Sequence, residues 1–153
     1  MQLETHAKEK LERALERKGL RATRQREQVF SVVLASDDHP SADLVYARVK
    51  ESCPTISLAT VYNCLETLVD CDLIRQVNFE REPSRFCQAK DHSRHHAHFH
   101  CQETGKVIDV HLPNAFIENL SQFLPKGYSI EKIDLTLSGR CCEPEMSVPE
   151  NTH

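Results

Sequence analysis

At 153 residues, with 39% hydrophobic and 27% charged side chains, the chain has the make-up of a folded, water-soluble protein large enough for two small units. No stretch approaches the roughly 18 apolar residues a membrane-spanning helix needs, and residues 1–10 lack the apolar segment of a secretory signal, so the expected location is the cytoplasm. The net charge of −4 hides an asymmetry: residues 8–26 carry eight Lys/Arg against three Glu, whereas beyond residue 90 nine Asp/Glu meet five Lys/Arg, so only the N-terminal part suits phosphate.

Taken in chain order, residues 4–18 read as a charged helix stopped by Gly19. A second helix starts at the N-cap Thr23 and turns Phe30, Val33 and Leu34 to one face. A third follows the turn at 39–42, capped by Ser41, carries Val45 and Val49 one turn apart, and ends near Ser52 ahead of Pro54. Ser57 caps a fourth helix over 57–70, whose apolar stripe is Leu58, Val61, Leu65 and Leu68. Extended pieces at 73–78 and 84–88 flank the charged turn 79–83 as a hairpin. Helices followed by a hairpin make a winged helix-turn-helix.

The polar stretch 89–93 reads as a hinge, followed by strands at 96–101 and 106–111, a helix over 113–123, a last strand over 129–137 and a disordered tail from 143. The predicted fold class is therefore α+β. A winged-helix DNA-binding domain occupies 1–88, and a small α/β domain occupies 94–142.

The fourth helix carries the candidate DNA-reading face. Thr60, Tyr62 and Asn63 lie opposite its apolar stripe and can bond base edges or phosphates, with the Tyr62 ring also able to pack on a thymine methyl. An ordinary amphipathic helix with a solvated face shows the same pattern, and the basic segment before it favours the groove-facing alternative.

His92, His95, His96, His98 and His100 fall within nine residues, followed by Cys101 and Asp109. In a strand His96, His98 and His100 share a face, so His96 and His98 can hold one ion side by side. A solvated histidine tract is the alternative, and the flanking sulfur and carboxylate argue for a built site. Imidazole, thiolate and carboxylate together suit zinc, with iron, cobalt or nickel accommodated by more oxygen ligands. Seven cysteines, an odd number at irregular spacing, speak for thiols rather than a disulfide framework. Cys64 and Cys71 read as small core residues and Cys53 as an inert surface one.

An ordered series of segments resembles the ferric uptake regulator family of bacterial metal-dependent repressors: 19–26 (GLRATRQR), 39–42 (HPSA), 56–63 (ISLATVYN), 84–86 (SRF), 96–98 (HAH) and 105–109 (GKVID). The resemblance implies a winged helix, a C-terminal dimerisation domain, and a homodimer that binds an inverted-repeat operator when metal is loaded. It matches Arg21 to a minor-groove cation and Tyr62 to a thymine-contacting tyrosine. It also matches His39, His96, His98 and Asp109 to ligands of one regulatory metal per subunit.

Two departures refine it. Cys87 stands where iron and peroxide sensors of the family carry Asp or Glu, which resembles the zinc-sensing branch, whereas Asp109 is shared with peroxide sensors. Zn2+ is thus the favoured ion, with an Fe2+- or Mn2+-loaded regulator of iron uptake or peroxide response as the alternative. Of the family's two Cys-x-x-Cys pairs only Cys101 and Cys141 survive, their partners being Thr104 and Pro144, so no four-sulfur structural zinc is expected. A further family site is expected to be missing, since its positions hold Phe116 and Ile133. A metal-dependent hydrolase would need a poised base beside an open coordination position. No helical His-Glu-x-x-His or comparable arrangement supplies one, and the expected protein is not an enzyme.

Overall fold

Side-chain oxygens set the starts of three successive helices. The computed structural model describes residues 3–89 and 95–141, and the chain divides into two compact units, Met1–Lys90 and Asp91–His153. The anticipated hinge lies outside the described residues apart from Ala89, as do His92, Cys142 and the anticipated tail.

In the first unit, α1 (Thr5–Arg17) buries Leu11 and Leu15. Gly19, at φ 71°, ends it: a left-handed residue here lets the Leu20 N–H reach back to the Leu15 carbonyl at 2.9 Å and satisfy one of the last helical acceptors. Thr23 caps α2 (Arg24–Ala35) by accepting the Arg26 N–H at 3.2 Å. Ser41 caps α3 (Ala42–Val49) and Ser57 caps α4 (Leu58–Asp70) in the same way, at 3.3 and 3.1 Å. Each cap satisfies a backbone donor that the first helical turn leaves without an internal acceptor.

The helices converge on one core of Val29, Phe30, Val33, Val45, Val49, Val61, Leu65 and Leu68, all nearly or wholly inaccessible. Strands β1 (Ile74–Val77) and β2 (Arg85–Gln88) pair antiparallel, Ile74 opposite Gln88 and Val77 opposite Arg85, and form the wing. The unit is a winged helix-turn-helix in which α3 leads into α4.

Two expectations fail here for tertiary reasons. Leu58 belongs to the apolar stripe in sequence but is exposed, because it is the first residue of α4 and lies beyond the reach of the core. Cys53 is not a surface residue: it is 9% exposed within the core cluster, where the turn after α3 folds its N–H back on the Val49 carbonyl at 2.9 Å.

In the second unit β3 (His95–Cys101) is the central strand, antiparallel to β4 (Val107–Val110) and parallel to β5 (Ile133–Gly139). Helix α5 (Asn114–Ser121) lies between β4 and β5 in the chain and has no buried residue. The last strand starts four residues later than its alternation suggests and runs on to Gly139, because its bounds are set by pairing with β3 from His95 to Cys101. A Cβ at 139 would meet the edge of the Phe99 ring at 3.0 Å, so a larger residue there would require the ring to give way by a few tenths of an ångström. Among the described residues no helix is long and apolar enough to cross a membrane.

Candidate metal centre and nucleic-acid interface

The loop between α2 and α3 presents His39, a buried residue held at φ 50°. A non-glycine residue in that region costs about 1–2 kcal/mol, so its surroundings must impose it. They do so from both sides. The Arg48 guanidinium, reaching from α3, donates to Asp38 Oδ1 at 2.9 Å and Oδ2 at 2.6 Å and to Ser36 Oγ at 2.8 Å. On the other side the Phe86 N–H donates to the Pro40 carbonyl at 2.9 Å, and Ser41 forms an isolated antiparallel bridge with Arg85.

This stitching of β2 to residues 40–41 brings Cys87 beside His39. The imidazole and the thiol each offer a donor atom, and the two donors lie within 4.8 Å of one another. Two anticipated ligands 48 positions apart are thus brought together inside the first unit.

The second unit supplies another pair. The face of β3 that carries His96, His98 and His100 receives Asp109 from β4, directly opposite His98, and the carboxylate Oδ1 sits 3.1 Å from His98 Nε2. His96 stands next to His98, with ring centroids 6.3 Å apart, but its Nε2 faces Asp134 Oδ1 at 3.9 Å. Asp134 was missed by the sequence reading, which took β5 for its apolar residues alone. The signal available was parity: if Ile133, Leu135 and Leu137 share one face, Asp134 lies on the other, and the parallel register sets it opposite His96. His95 points away from this face and accepts the Ile133 N–H on Nδ1 at 3.1 Å, serving the sheet.

The imidazole and thiol of the first unit, and the imidazoles and carboxylate of the second, are each donor types that suit a first-row divalent ion. Burial pushes the Cys64 and Cys71 thiols up, which suits packing residues rather than ligands.

The anticipated DNA-reading residues are presented unequally. Tyr62 is 50% exposed and Asn63 is exposed on the same face of α4, while Arg21 is exposed just before α2, its carbonyl accepting Arg26 Nη1 at 2.7 Å. Thr60 is partly buried, with its hydroxyl engaged with Ser57 Oγ at 2.9 Å, so its first role is within the cap. In the wing, Gln76, Asn78 and Ser84 form a connected set of hydrogen bonds at 2.6–3.1 Å. Short polar side chains in a turn gave no sequence signal for it.

The sequence profile of the ferric uptake regulator family matches residues 17–138. The peroxide-responsive repressor PerR of Staphylococcus saprophyticus is 35% identical over 130 residues, covering 84% of each protein. Among solved structures, the Helicobacter pylori ferric uptake regulator Fur, described as having three functional metal-binding sites, superposes with a TM-score of 0.72. It is 25% identical, over 96% of this chain and 98% of that one. The ferric uptake regulator of Pseudomonas aeruginosa with manganese gives a TM-score of 0.70 at 26% identity, over 86% of this chain and 98% of its own.

Proposed function

The chain belongs to the ferric uptake regulator family, and from that premise we propose that it is a zinc-sensing repressor whose hold on an inverted-repeat DNA operator is set by one regulatory ion per subunit. As a member of that family it is a metal-responsive transcription regulator and not an enzyme. The observation that carries the zinc reading is the Cys87 thiol lying within 4.8 Å of the His39 donor. A thiolate beside an imidazole favours zinc over the harder manganese ion.

In this reading His39 and Cys87 from the first unit, with His96, His98 and Asp109 from the second, hold the ion. Asp109 orients His98 through their 3.1 Å contact. Ligands of both units closing on one ion would hold the units in a single mutual orientation, the one that fits the duplex. Tyr62 and Asn63 read bases, and Arg21 with the basic N-terminal segment engages phosphate and the minor groove. Phe116, Phe123, Tyr128 and Leu137 are exposed in the second unit and suit a second copy of the chain, giving a homodimer that matches a two-fold operator and works in the cytoplasm.

An iron- or manganese-loaded reading, with a peroxide response, has its own support in the carboxylate of Asp109 and in the similarity to PerR. Selection of duplexes from a random pool, followed by anisotropy titration of the selected duplex with zinc, iron(II), manganese or a chelator, separates the readings. Tightest binding with zinc is expected. Equal affinity in chelator rejects metal control, and tighter binding with iron or manganese than with zinc rejects the zinc assignment.

A further inference from the structure

At one end of the three-stranded sheet lie two cysteines that the metal site does not use. Cys101 closes β3 opposite Gly139 of β5, and the chain then turns sharply, with the Gly105 N–H on the Cys101 carbonyl at 2.8 Å and the Cys101 N–H on the Lys106 carbonyl at 2.9 Å. This turn wraps the Cys101 sulfur, which receives hydrogen bonds from the Thr104 side chain and from the Thr104 and Glu103 backbone. A further backbone donor comes from Cys141, two residues beyond Gly139, while the Gln102 N–H fastens the turn to the Gly139 carbonyl at 2.8 Å. The second cysteine's own backbone therefore lies against the first cysteine's sulfur. Thr104 and Pro144 occupy the positions that would complete a four-sulfur site, so these cysteines cannot form one, whereas two thiols suffice for a disulfide.

We propose that Cys101 and Cys141 are a peroxide-oxidised thiol pair, with Cys101 the attacking sulfur and Cys141 the resolving one. Hydrogen bonds to sulfur, led by that from Thr104, bring the Cys101 thiol down to about 7, whereas burial raises those of Cys64 and Cys71. Near neutral pH Cys101 thus holds a substantial thiolate fraction, and the packing cysteines hold little. It is 4% exposed, so only small reagents can reach it.

In the first step the Cys101 thiolate attacks one peroxide oxygen. An S–O bond forms, the O–O bond breaks, and the departing hydroxide takes a proton to become water. Sulfur is oxidised by two electrons to the sulfenic acid as the peroxide is reduced. The Cys141 sulfur then attacks the Cys101 sulfur, an S–S bond forms, and the sulfenic oxygen leaves as water with the Cys141 proton. The product ties the end of β3 to the chain just after β5, with no role for the ion-holding residues.

The experiment treats chelator-stripped full-length protein with hydrogen peroxide and maps peptides without reduction, in the native sequence and in Cys142→Ser, which removes ambiguity between adjacent cysteines. A Cys101–Cys141 cross-link that dithiothreitol reverses is expected. Alkylation of Cys101 at pH 7 is expected to be roughly five-fold or more faster than that of Cys64 or Cys71. Cys141→Ser is expected to trap a dimedone-reactive sulfenic acid on Cys101, and Thr104→Val to raise the pH midpoint of Cys101 alkylation while far-UV circular dichroism is unchanged. A disulfide elsewhere, Cys101 reacting no faster than Cys64, or a midpoint unmoved by Thr104→Val would each overturn the proposal.

Discussion

Arg48 grips Asp38 with both arms of its guanidinium, Nη1 to Oδ1 at 2.9 Å and Nη2 to Oδ2 at 2.6 Å, and the residue that follows Asp38 is the candidate ligand His39. The fork fixes the loop one residue before its left-handed turn, so the imidazole is aimed before any ion arrives.

Arg48→Ala is expected to release that loop. The pair is half exposed, so the stability loss measured by urea unfolding is about 0.5–1 kcal/mol. Zinc affinity is expected to fall more than this loss accounts for. Unchanged zinc affinity would show that His39 needs no such support.

The same pair sets an acid limit. Its hydrogen bond with Arg48 holds the Asp38 carboxyl below the usual carboxylate range, so the contribution to stability is complete at neutral pH. It is lost only as pH falls through the lowered folded-state value, below about 4. The difference in unfolding free energy between native protein and Arg48→Ala is therefore expected to be flat from pH 8 to pH 5 (roughly the range above both pKa values) and to shrink under stronger acid.

Cys87→Ser removes the thiol while leaving a donor oxygen. Zinc affinity is expected to drop by about ten-fold or more, with manganese affinity little changed. Competition titration against a chelating dye reads both, and equal losses for the two ions would count against the zinc assignment.

Two carboxylates on the histidine face are separable. Asp109→Ala, at 3.1 Å from His98, is expected to cost about ten- to hundred-fold in metal affinity. Asp134→Ala, at 3.9 Å from His96, lies beyond hydrogen-bond distance and is expected to cost much less. A reversed order would make Asp134 the ligand.

Tyr62→Ala is expected to weaken binding to the selected duplex by about 1–3 kcal/mol without altering metal uptake, because the ring is half exposed and outside the core. Leu65→Ala, on the buried side of the same helix, is expected to lose about 2–5 kcal/mol of stability instead. If Tyr62→Ala also unfolded the protein, the division of α4 into reading and anchoring faces would be wrong.

Much of the architecture is local in origin, which is why it could be read along the chain. Thr23, Ser41 and Ser57 are helix caps because a short side-chain oxygen meets the donors of the next turn, and that contact spans three residues. The expectations that failed are those whose partners are distant. Cys53 is covered by helices elsewhere in the chain, and β5 takes its ends from β3.

By itself the sequence determined which residue types are available for chemistry, where most helices begin and which faces are apolar, because periodicity and capping act over a few residues. Tertiary structure alone decided which donors meet. Cys87 reaches His39 only because β2 docks on residues 40–41, Asp134 faces His96 only through a parallel register, and Cys141 approaches the Cys101 sulfur only where β5 runs out beside the turn. Those pairings span 38 to 48 residues, and a chain carries no local mark of a contact made by hydrogen bonds between distant strands.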